Sequence, residues 1–161
     1  MCYTAGMEAD DMHAIRIYEM PPCKMVASAV GMFGDPAIED FNAWMETMPR
    51  PLFPRDFLTW DDSDPEHQGF RWYYQYEDGM ALPNGAEVVE FPGGMYAVAT
   101  DVDQTNDRAA MDAAVAQFIA EHGFERDDTR RPLGNIITSP AVRAVLGFEQ
   151  MDYYYPVRPK A

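Results

Sequence analysis

Apolar and polar residues alternate over positions 15–18, and after Pro21-Pro22 a short apolar run at 25–30 reads as a second strand, the two pairing or bending as one unit. Gly34-Asp35-Pro36 then supplies an N-cap and a proline suited to a first helical position. Ile38, Phe41, Met45 and Met48 follow at helical spacing, the stripe of one amphipathic helix that ends at Pro49-Arg50-Pro51. Residues 57–60 and 70–76 carry the aromatic, alternating pattern of strands on either side of an acidic loop, Asp61-Asp62-Ser63-Asp64-Pro65. The order then returns. A strand at 87–90, a turn at Pro92-Gly93-Gly94 and a strand at 96–100 precede a helix from about 107 to 122. Met111, Val115, Phe118, Ile119 and His122 share one face of that helix, and Gly123 stops it. Strands at 133–138 and 151–157 complete the chain, with a short helical turn between them.

The repetition reaches individual residues. Glu19-Met20-Pro21-Pro22-Cys23-Lys24-Met25-Val26-Ala27 is echoed 71 positions later by Glu90-Phe91-Pro92-Gly93-Gly94-Met95-Tyr96-Ala97-Val98, close to half of a 161-residue chain. The same offset carries the helix start Asp35-Pro36 onto Asn106-Asp107. One supersecondary unit used twice is the economical reading. It predicts an α+β fold: duplicated βαββ units at 15–76 and 87–157, an antiparallel sheet or partial barrel, two main helices and a central pocket. A single domain would span 13–158, with a flexible tail at 1–12. A seam between related halves favours a concave, partly apolar pocket, so the pattern already leans toward small-molecule binding.

Composition changes this picture little, and charge more. A 47% hydrophobic, 24% charged chain is ordinary for a globular domain, but 27 acidic against 12 basic residues give −15 and a pI near 4.3. That field repels phosphate backbones and anionic lipid headgroups, which argues against direct nucleic-acid or membrane partners. Cys2 and Cys23 form no Cys-x-x-Cys pair, and no apolar run approaches a membrane span, so the expected compartment is a reducing cytoplasm.

His13, His67 and His122 lack partners at metal-ligand spacing, and no cofactor is implied. Residues 101–112 place oxygens at alternating positions in the manner of a calcium loop, but Asn106 stands where that loop requires glycine, so helix capping is the better reading. No phosphate-binding glycine pattern or Gly-x-Ser-x-Gly elbow is present. The aromatic residues are more suggestive. Period-two alternation puts Phe70, Trp72, Tyr74 and Tyr76 on one face of a strand; with Trp44, Trp60, Tyr96, the Tyr153-Tyr154-Tyr155 run and 12 methionines, these rings suit either a core or an adaptable pocket wall.

The segments Trp60-Asp61-Asp62-Ser63-Asp64-Pro65, Phe70-Arg71-Trp72-Tyr73 and Pro92-Gly93-Gly94-Met95-Tyr96-Ala97-Val98 together resemble the GyrI-like family, which includes effector-binding domains of AraC- and MerR-class regulators. The likeness runs from about 13 to 158. It implies a stand-alone sensor of amphipathic, drug-like molecules, linked to transcriptional regulation or a multidrug response through a DNA-binding partner protein. Other branches imply a hydrolase of cyclopropane-bearing toxins or a modulator of a large partner such as gyrase. The family's usual pocket acid aligns with neutral Asn135, two positions before Ile137, which argues against an enzyme. Glu149 either returns a carboxylate to the pocket or is an exposed strand-end residue. The resemblance and the aromatic pattern together nominate Trp44, Trp60, Trp72, Tyr74, Tyr96, Asn135, Ile137, Glu149 and Met151 as ligand-binding residues.

Overall fold

The computed structural model describes residues 15–104 and 107–161. His13, Cys2, Asn106 and the expected tail at 1–12 lie outside the described residues. Among the described residues nine strands and three helices follow one another as β1 (Arg16–Met20), β2 (Cys23–Ala27), α1 (Pro36–Glu46), β3 (Asp56–Asp61), β4 (Gly69–Gln75), β5 (Glu87–Phe91) and β6 (Gly94–Val102). Then come α2 (Arg108–Glu121), β7 (Phe124–Arg126), β8 (Leu133–Ile136), α3 (Pro140–Leu146) and β9 (Gln150–Pro159). The strands form one antiparallel sheet in the order β1-β6-β9-β8-β3-β4-β2-β5, with β7 on the far end of β9. This is the α+β partial barrel that the pattern predicts.

The two prolines after β1 bend the chain instead of closing a hairpin. β1 pairs with β6, Tyr18 opposite Tyr96, while β2 pairs with β4 and β5. Shifted by the 71-residue offset, β1 falls on β5 and the start of β2 on the start of β6. Each early strand therefore pairs with the other half: β1 with β6, and β5 with β2. The bend between β5 and β6 depends on glycine. Gly93 (φ 68°) has no room for a Cβ, which would stand 2.3 Å from the Met20 carbonyl oxygen.

The helices cover one face of the sheet and leave the other to the seam. Phe41 of α1 packs on Val26 and Tyr74, joined by Trp44, Trp72 and Tyr76. Met111, Val115 and Ile119 of α2 pack on Ala97, Ala99, Tyr153 and Tyr155. Asp107 caps α2 by accepting from the Ala110 amide at 3.0 Å, which accounts for that aspartate without a cation. On the opposite face Met20, Met25 and Phe57 meet Tyr96, Val98, Leu133 and Tyr154 in a cluster drawn from both halves. The halves are stitched together where Leu58 of β3 lies opposite Gly134 of β8.

Candidate functional site

A cavity of about 800 Å³, neither sealed nor flat, opens on that inner face. Alternation builds its walls. β1 contributes Arg16, Tyr18 and Met20; β2 contributes Cys23 and Met25; β9 contributes Asp152 and Tyr154. Phe57, Gln75, Phe91 and Ile137 add single side chains, and the proline-rich segment 51–55 forms a rim on which Leu52 and Phe53 stand 96% and 78% exposed. The size and the apolar character, relieved by a few polar groups, suit a drug-sized organic ligand. Phe57 and Tyr154 meet edge to face at 5.4 Å, a stiff aromatic wall across the seam.

The cavity's carboxylate belongs to Asp152. It is 4% exposed, receives Nη2 of Arg16 at 2.8 Å and accepts a short hydrogen bond from the Thr100 hydroxyl. A buried carboxylate this well partnered stays put, because removing either partner would leave charge without compensation. Arg55 stands at the rim and pairs with Glu77. Burial pushes the Tyr154 phenol far above its ordinary range, with Asp152 adding to the shift, so it remains a neutral hydroxyl. Burial, with Glu90 nearby, also raises the Cys23 thiol, which is therefore a poor nucleophile. Among the described residues the lining holds no histidine or serine, and no three His, Cys, Asp or Glu side chains converge as metal ligands.

Of the nine residues nominated from the sequence, Ile137 lines this cavity. The other eight are absent from its lining. Phe70, Trp72 and Tyr74 do share a face of β4, but α1 covers Trp72 and Tyr74 there and Phe33 packs on Phe70. Trp72 Nε1 donates to Asp56 Oδ2 at 3.1 Å, Trp44 Nε1 donates to the Ala81 carbonyl at 2.9 Å, and Trp44 meets Tyr74 edge-on at 5.5 Å. Burial raises the pKa of Asp56, opposed by this hydrogen bond from Trp72. Trp60 rests half exposed against Phe70. Tyr96 stands behind Tyr154 under the Arg130 guanidinium. Met151 points toward α2, its methyl filling the space above Gly134.

Asn135 pairs in register with Asp152 and is 3% exposed, and neither end of its amide finds a hydrogen-bond partner among the described residues. Glu149 does not reach the main cavity: it lies in a separate recess of about 390 Å³ beside α3, 3.4 Å from Arg143. Glu149, the candidate for returning a carboxylate to the pocket, thus stands outside this cavity, whose lining carboxylate is Asp152. Arg16, Tyr18, Phe57 and Asp152 were missed. Arg16 and Tyr18 occupy the polar beats of β1's alternation, which read as solvent-facing, and β1's inner face becomes a cavity wall only once β6 and β9 lie beside it.

No protein-family model matches the chain, and no curated protein sequence matches it. Solved structures do match. A hydrolase from Listeria innocua aligns at TM-score 0.63 and 14% identity over 91% of this chain and 92% of that one. The EcmrR C-terminal domain aligns at TM-score 0.56 and 11% identity over 93% and 99%. EcmrR in a complex with DNA aligns at TM-score 0.56 and 11% identity over 91% of this chain and 57% of that one. These likenesses support a GyrI-like fold. Identities this low concern architecture and say nothing of individual side chains. Among the described residues no helix is long and apolar enough to cross a membrane.

Proposed function

We propose that this chain is a small-molecule-binding sensor domain, spanning 13–158, that takes an amphipathic organic ligand between its two halves and passes the occupied state to a DNA-binding regulator protein. The observation that carries the reading is the half-open, aromatic-walled cavity of about 800 Å³ at the seam, whose lining comes from both halves. EcmrR, whose C-terminal domain has a similar fold, forms a complex with DNA, and this supports the DNA-binding context of the reading. A ligand bridging Phe57 and Gln75 of the first half and Ile137 and Tyr154 of the second would tie the halves together, a change a partner protein can read.

A panel of amphipathic aromatic compounds tests this by thermal unfolding and by alkylation of Cys23 in a Cys2→Ser background. Binding at a hundred times Kd stabilises the fold by about 2.7 kcal/mol, roughly 5–10 °C for a domain of this size. Because Cys23 lines the cavity, the same compounds should slow its alkylation in a saturable way. A panel that raises no melting temperature and leaves Cys23 equally reactive would refute the reading.

A further inference from the structure

We infer that the cavity selects an amphipathic anion, an apolar body carrying one carboxylate, sulfonate or phosphate, with Arg55 and Arg16 as the recognising groups. The inference rests on the small-molecule reading and specifies its ligand class. Against a chain of net charge −15, the charged groups among the described residues that line the cavity are two arginines and a single aspartate. That aspartate is already answered: Asp152 holds Arg16 Nη2 at 2.8 Å and the Thr100 hydroxyl, so an entering cation finds no unpaired carboxylate and must displace a guanidinium.

An anion meets the opposite situation. Arg16 has five N–H donors, donates Nη2 to Asp152 and keeps a side chain 57% exposed at the cavity. Among the described residues Arg55 has no carboxylate partner inside the cavity; Glu77, which it meets, is 59% exposed and outside the lining. An exposed carboxylate is screened by water and salt and holds a guanidinium weakly, so a ligand anion partly shielded by the cavity walls competes with it on favourable terms. Glu90 is likewise exposed and outside the lining. At physiological salt, charges further away than about 8 Å are largely screened, so the wider acidic surface slows entry more than it weakens a direct guanidinium contact.

Three probes with one apolar body decide it: naphthoate, naphthylmethanol and naphthylmethylammonium, titrated calorimetrically at physiological salt. Naphthoate should bind about tenfold more tightly than the neutral alcohol, the order expected of one charge-assisted hydrogen bond, and the ammonium no better than the alcohol. Arg55→Met should remove most of the anion preference and Arg55→Lys keep most of it. Arg16→Met, which unpairs Asp152, should improve the ammonium relative to the alcohol; if that variant does not fold, the Arg55 pair still decides. Alcohol or ammonium binding as tightly as naphthoate, or a preference unmoved by Arg55→Met, overturns the inference and leaves the small-molecule reading intact. Failure of all three probes to bind overturns that reading as well.

Discussion

Arg130 offers a sharp test of how the second half of the chain is held together. Its side chain is 16% exposed and donates to the carbonyls of Gly93 (3.2 Å), Met95 (2.8 Å) and Val157 (2.8 Å) and to the carboxylate of Asp127 (2.9 Å), with its guanidinium 4.7 Å from the Tyr96 ring centre. One side chain therefore ties the β5–β6 bend to β6 and β9. Each hydrogen bond to a charged group is worth about 1.5–3 kcal/mol, but the bonds are not additive and removing the arginine also relieves its own desolvation. For Arg130→Met we expect a loss of about 3–5 kcal/mol, roughly 10 °C in melting temperature.

Gly94 supplies the control. Its φ is +124°, and a Cβ there would stand 2.3 Å from Arg130 Nη1, so Gly94→Ala suffers both backbone strain and a clash. In the Arg130→Met background the clash disappears and the strain stays, which predicts a coupling on the order of 1 kcal/mol in a double-mutant cycle. Urea unfolding of the four proteins measures all of this. A loss below about 1 kcal/mol for Arg130→Met, or strict additivity with Gly94→Ala, would show that the guanidinium is not the tie described.

Two further outcomes are expected. Hydrogen bonds from Thr129 and Arg130 lower the Asp127 carboxyl from 3.8 to about 2 in the folded protein, so its contribution is present above about pH 4 and is lost as pH falls toward 2; Asp127→Asn should flatten the stability profile in that window, and an unchanged acid limb would count against it. Trp72→Phe should cost about 1 kcal/mol of stability through the lost bond to Asp56 yet leave ligand affinity unchanged, whereas Phe57→Ala should weaken binding; equal effects on affinity would mean the cavity has been assigned to the wrong face of the sheet.

The local pattern was sufficient for most of the elements and for which side chains share a face. The prolines at 21, 22 and 92 and the glycines at 93 and 94 mark the bends; of the two helical stripes, Ile38 and Phe41 on α1 and Met111, Val115 and Ile119 on α2 are buried, while Met45, Met48 and Phe118 are half-buried and His122 is exposed. β7, three residues long, was too short to leave a pattern. The alternation of Phe70, Trp72 and Tyr74 is correct as a face, but a period of two cannot say what lies over it. That is decided by α1 docking on β4, and by the pairing of strands distant in sequence: Arg16 and Asp152 form one ion pair across 136 positions. Nothing local to either residue encodes it. A strand's hydrophobic rhythm follows from its own residues, whereas a cavity wall is a relation between strands, which is why the sequence determined the α+β framework and only the tertiary structure decided that Arg16, Phe57, Asp152 and Tyr154 line the cavity.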